Sequence, residues 1–215
     1  MLFRSNVDKV IGEDWHRVNI SQMNTPYSCP GGSGDQCINE PPTNGSWYIG
    51  MSSDLQFTVD QPTVDLGDLY ALNNYTATAT TILTATTSYS GGYTVRAYAS
   101  NNGELRLDTT DYIERWLYAN STPALWDNNC PSDSNYCGFG YTTSDTSLGP
   151  ANDNRFATST KYAGFATSTP GDPVGDSTAP AYGATTTITY KVSTQENKVA
   201  GSYTTTIYYL CTVNY

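Results

Sequence analysis

The sequence predicts an all-β protein, an antiparallel Ig-like or jelly-roll sandwich. Three observations carry that prediction. Long runs alternate apolar and hydroxyl-bearing residues with a period of two, as in Thr187-Ile188-Thr189-Tyr190-Lys191-Val192. Thr and Tyr, good strand formers, are abundant: Tyr alone contributes 18 residues. Gly, Pro, Asn and Ser clusters punctuate these runs as turns.

Met1-Leu2-Phe3-Arg4-Ser5 reads like a translated adapter at a clipped or scarred end and is set aside for fold reasoning. Residues 1–50 read as an irregular amino-terminal extension, with a Gly-rich loop from Cys29 to Pro42 and an undecided stretch from Val7 to Ile20. The sandwich is expected over 51–215. Trp47-Tyr48-Ile49 and Leu55–Val59 are predicted short strands, followed by a long one over Tyr75–Thr87. Tyr75, Ala77, Ala79 and Leu83 fall on one face of it and Thr76, Thr78 and Thr80 on the other. Ser90-Gly91-Gly92 turns into a strand over Tyr93–Ala99, and Asn101-Asn102-Gly103 reads as a hairpin turn into Glu104–Leu107. Asp111–Ala119 is expected to form a short helical segment, because Ile113, Trp116 and Leu117 share a helical face. A loop-rich insertion spans about 121–183, with short β pieces at Phe139–Thr142 and Phe156–Thr158. The clearest pair ends the chain. Ala184–Ser193 places Thr186, Ile188, Tyr190 and Val192 on one face. Ser202–Val213, read as its partner, places Tyr203, Ile207, Tyr209, Cys211 and Val213 on its apolar face.

Composition narrows the function. Charged residues make up 14% and the net charge is −10, so clustered cations for nucleic acid or anionic lipid are missing. No apolar run is long enough to span a membrane as a helix. Two close cysteine pairs, Cys29/Cys37 and Cys130/Cys137, sit in loops without companion histidines and predict disulfides in an oxidising, extracellular setting. Cys211 is left as a thiol, or as an alternative partner of Cys137.

The carboxy-terminal Val199-Ala200-Gly201-Ser202-Tyr203, running through Ile207 to Cys211-Thr212, resembles the ending of secreted Ig-like β-sandwich surface proteins of uncultured ultra-small bacteria. Gly92-Tyr93-Thr94-Val95 and Gly138-Phe139-Gly140-Tyr141 are similar to that family too. The resemblance covers roughly residues 55–215 and implies a surface-exposed sandwich. More loosely, the layout resembles matrix-fibre and pilus subunits that polymerise by strand donation. On its own chemistry, Gly201 permits a tight entry to the last strand, and Tyr203 is placed to bond its hydroxyl back to the backbone as a corner.

Catalysis finds little support. His16 is the single histidine and sits beside Trp15 and Arg17 in the irregular segment, where a surface role outweighs a triad. A two-carboxylate glycoside hydrolase would draw on Glu13, Glu40, Glu104, Glu114 and Glu196, none in a strand motif that pairs an acid with a base. Asp127, Asn129 and Asp133, and likewise Asp145, Asn152 and Asp153, are oxygen-rich loops suited to a structural Ca²⁺, although Asx residues are also ordinary turn-formers. Trp47, Trp116 and Trp126, with Tyr98 and Tyr208 on outer faces, are candidate sugar-stacking platforms. Sequons occur at Asn19, Asn44, Asn74 and Asn120. The expected protein is a non-enzymatic extracellular structural subunit that polymerises with itself, residues 6–25 completing a neighbour's sheet. A monomeric adhesin or carbohydrate-binding module is the alternative, and a secreted glycoside hydrolase the third reading.

Overall fold

The computed structural model describes residues 55–70, 75–126, 130, 137–148, 155–157 and 160–214, with the backbone of 2–3. Contacts divide the chain into one unit of Met1–Val7 with Ser53–Tyr215 and another of Asp8–Ser52. The second unit lies outside the described residues, and so do the expected strand at Trp47–Ile49, the stretch Val7–Ile20 and the expected donor segment 6–25.

The fold is the all-β sandwich that the alternation predicts. Among the described residues twelve strands run β1 (Leu2–Phe3), β2 (Leu55–Val59), β3 (Thr76–Thr87), β4 (Tyr93–Ala99), β5 (Leu105–Arg106), β6 (Tyr112–Ile113), β7 (Ala124–Leu125), β8 (Gly138–Thr143), β9 (Lys161–Tyr162), β10 (Asp172–Ser177), β11 (Ala181–Ser193) and β12 (Thr206–Val213). One sheet has the order β1-β12-β4-β10 and the other β2-β3-β11-β8, with two small ribbons, β5-β6 and β7-β9. Both main sheets are antiparallel except at β1, which runs parallel to β12.

The core follows from period-two alternation. Leu83 and Ala85 of β3, Val95 and Ala97 of β4, Ile188, Tyr190 and Val192 of β11, and Ile207 and Tyr209 of β12 point between the sheets and are buried. On the wet face of the second sheet, Thr78 and Thr80 of β3 and Gln56 and Thr58 of β2 stay exposed. That layer keeps a low-charge protein hydrated through hydroxyls. Tyr190 Oη and Tyr209 Oη meet at 2.6 Å in the interior, joining β11 of one sheet to β12 of the other.

Three expectations are corrected. β11 and β12 are not each other's partners: β11 pairs with β3 and β8, while β12 pairs with β4 in the opposite sheet. The connection 194–205 therefore crosses the sandwich. Asn101-Asn102-Gly103 is a 3-10 turn with positive φ at both Asn residues, but it releases the chain from the sheet rather than closing a hairpin, and β5 pairs with β6. Asp111–Ala119 is extended, not helical: Ile113 lies in β6, and Trp116 N–H donates to Phe139 O of β8. Trp116 is buried there while Leu117 is 72% exposed, the opposite of a shared helical face.

Two further differences concern the insertion. It contains a true strand, β10, paired with β4 through a bulge, and Arg155–Ala157 is a turn where a β piece was expected. Leu2–Phe3, set aside as an adapter, forms the edge strand β1.

Candidate functional site

The two lateral sides of the sandwich are built differently. The side bounded by β8 and β10 is stitched by side chains. Thr143 Oγ1 donates to Val174 O at 2.6 Å, Asp176 N–H donates to Asp145 Oδ2 at 2.7 Å, and Asn120 Nδ2 donates to Tyr141 Oη (2.7 Å) and Pro173 O (2.9 Å). The free edge of β8 is covered as well. Phe139 N–H bonds to Glu114 O, and Tyr141 and Ala163 exchange both backbone bonds.

Over that covered edge lies an aromatic stack. Trp116 and Trp126 are parallel within 11° at 4.0 Å between centroids, Tyr162 meets Trp126 edge-on, and Lys191 Nζ sits 5.1 Å from the Trp126 ring centroid. Partial burial lowers the Lys191 ammonium pKa. Gly140 makes the close approach feasible, since a Cβ there would come within 2.8 Å of Trp116 Cβ and 2.7 Å of Ala163 O. Trp116 and Trp126, candidate sugar platforms by sequence, are thus packing residues, 1% and 9% exposed. Tyr98 and Tyr208 lie on the outer face that the alternation assigns them. They stand opposite each other on the wet face of the first sheet, stacked at 4.7 Å and partly exposed. Trp47 lies outside the described residues.

The other side is bounded by β2 and β12. The bonds Ser100 N–H to Thr206 O and Asn214 N–H to Gly92 O bracket the β12–β4 ladder. In an antiparallel ladder alternate residues turn their backbone groups away from the partner, so Ile207, Tyr209, Cys211 and Val213 direct theirs outward. β1 takes up the start of this edge, with Leu2 opposite Thr206 and Phe3 opposite Ile207. Cys211 sits further along as a thiol, and burial pushes its pKa up to about 12. A nucleophilic or metal-binding cysteine needs the reverse shift.

The entry to β12 holds the expected corner. Tyr203 Oη donates to Val199 O four residues upstream at 2.8 Å, and Gly201 lies where a Cβ would strike the Leu107 side chain.

The remaining candidates separate cleanly. Cys130 and Cys137 form a disulfide with Cα atoms 5.1 Å apart. Cys29 and Cys37, the loop residues Asp127, Asn129 and Asp133 with Asn152 and Asp153, the sequons Asn19, Asn44 and Asn74, and His16, Glu13 and Glu40 lie outside the described residues. Asp145 spends its carboxylate on the Ser147 and Asp176 N–H groups. Among the described residues no group of three or more His, Cys, Asp or Glu could hold a metal ion. Asn120 is a correction: its side chain is 3% exposed and both its amide bonds are internal, which leaves no room for a glycan in the folded chain. Glu104 and Glu114 line one open cleft with Asn102, Tyr112, Arg115 and Thr167. Arg106 grips Glu104 Oε2 through Nε (2.9 Å) and Nη2 (2.7 Å). Glu196 sits in an exposed turn.

Among the described residues no helix is long and apolar enough to cross a membrane. The fold and its edges define the class, an all-β sandwich with one stitched side and one side of edge strands. No known protein family matches the chain, and neither does any curated protein or solved structure.

Proposed function

We propose that this chain is a non-enzymatic, extracellular structural subunit, joined into a filament, pilus-like fibre or coat by strand complementation. The observation that carries the reading is β1: the amino-terminal Leu2–Phe3 already adds to the outer edge of the carboxy-terminal strand. An amino-terminal segment that adds to this edge within one chain can add to the same edge of the next, and such head-to-tail exchange generates open filaments. The disulfide Cys130–Cys137 supports an oxidising location. Low charge and long hydroxyl-rich strands support an assembly role over a catalytic one.

Electron microscopy of the purified full chain beside a variant lacking residues 2–25, which removes both β1 and the expected donor segment 6–25, tests this. Regular filaments that vanish on deletion are the expected result. Filaments unchanged by the deletion, or no filaments from the full chain under any salt or Ca²⁺ condition, would overturn it.

The stacked Tyr98–Tyr208 pair favours a second reading, a monomeric adhesin or carbohydrate-binding module, since partly exposed aromatic rings can stack on sugars. A glycan array on which Tyr208→Ala abolishes binding would support it. An array without hits would remove it.

A further inference from the structure

The open side carries a second edge, β2. Its register sets Leu55 against Thr87, Phe57 against Ala85 and Val59 against Leu83. Asp60 N–H donates to Ile82 O at 3.0 Å, so the bonded positions are the even ones, and Leu55, Phe57 and Val59 turn their N–H and C=O groups away from β3. Among the described residues none of these outward groups has a hydrogen-bond partner. The three side chains are only partly buried against the core.

Proteins guard such edges with lysine, proline, bulges or a covering segment. β2 has none of the first three: Leu-Gln-Phe-Thr-Val is uncharged and pairs with β3 without a register shift. Its pattern also reads alike in both directions. Reversed about Phe57, apolar Leu55 meets apolar Val59 and polar Gln56 meets polar Thr58. An edge that matches its own reverse suits a two-fold, isologous contact.

We propose that β2 pairs antiparallel with β2 of a second copy about an axis at Phe57. The pairing joins two four-stranded sheets into one continuous sheet. Phe57 lies opposite its counterpart, and the apolar side chains of both strands extend a shared core face. The occupant is a second copy of this chain, and the contact stands independently of strand donation by the amino-terminal segment.

Sedimentation velocity of the full chain over a concentration series tests the pairing. Gln56 and Thr58 are exposed, so substituting them leaves the interior intact. In the paired state residue 56 of one copy faces residue 58 of the other, twice by symmetry. The double variant Gln56→Lys/Thr58→Lys therefore opposes like charges directly, and so does Gln56→Glu/Thr58→Glu. Each is expected to dimerise at least about tenfold more weakly than the wild type. An equimolar mixture of the two brings opposite charges together and restores the dimer. Val59→Pro removes an outward N–H without touching a bond to β3, and is also expected to be monomeric. A wild type that stays monomeric at every concentration, a lysine variant that associates as well as the wild type, or a mixture that fails to recover would each overturn the pairing. Strand donation answers to deletion of residues 2–25 and is indifferent to the lysine pair, so the two contacts fail separately.

Discussion

Tyr190 and Tyr209 join the two sheets by a hydroxyl–hydroxyl bond inside an apolar core. Burial, the largest influence on each, pushes both phenols and that of Tyr141 well above the ordinary value of 10.0. It also lifts the Cys211 thiol from 9.0 to about 12. In the unfolded chain these groups ionise near their ordinary values. Their contribution to stability is therefore complete below those values and is lost as pH rises through the higher folded ones. Urea midpoints should stay level up to about pH 9 and then decline, each group adding a slope of about 1.4 kcal/mol per pH unit over its window. Cys211 opens the decline, so Cys211→Val should delay its onset to about pH 10, where the tyrosines begin. A decline already under way near neutrality would contradict this assignment. Asn120 permits a sharper test. Asn120→Ala strands Tyr141 Oη and Pro173 O in the interior, at an expected cost of about 1–3 kcal/mol in urea unfolding. A cost near zero would mean that water replaces the amide.

At the scale of elements, alternation located strands but not their partners. β4 spans the predicted Tyr93–Ala99, and β3 and β11 place on the core face the residues that period two puts there. The pairing of β11 with β12 was misread because alternation specifies a face and leaves the neighbour open. The partner depends on the path of 194–205, which turns on Tyr203 and Gly201 to reach the other sheet. β10 was illegible because Asp172-Pro173-Val174-Gly175 has the composition of a turn; it persists as an edge strand with a bulge, where Pro and Gly are tolerated. The helical reading of Asp111–Ala119 failed because Trp116 is held by a notch at Gly140 and Ala163 that no local pattern announces. Two substitutions probe these devices. Gly140→Ala forces Trp116 off the sheet and should lose about 1–3 kcal/mol, seen as a lower thermal midpoint and an altered tryptophan spectrum. Tyr203→Phe keeps the ring and deletes the bond to Val199 O, so a loss of about 1 kcal/mol is expected. An unchanged midpoint in the Tyr203 variant would reduce the corner to packing alone.

Over the whole molecule, net acidity opposes the proposed association through β2. Each copy carries −10 at pH 7 with a pI near 4.3, so copies repel at long range. Salt shortens that repulsion from about 30 Å at 0.01 M to about 3 Å at 1 M. Light scattering of the wild type should therefore rise with salt at pH 7, and rise again as pH falls toward 4.3 and the carboxylates neutralise. Net charge alone would give this trend with no specific contact, and the β2 variants separate the two causes. Gln56→Lys/Thr58→Lys changes the net charge from −10 to −8, and Gln56→Glu/Thr58→Glu changes it to −12. If long-range repulsion governs association, the lysine pair should associate more than the wild type and the glutamate pair less. If edge pairing governs it, both should associate less, because each sets like charges opposite one another across a strand pair with Cβ atoms about 5 Å apart. Added salt should then restore the variants only in part, since charges in direct opposition are screened less than charges a Debye length apart. A lysine variant that scatters more than the wild type at low salt would assign the association to net charge and leave β2 as a bare edge.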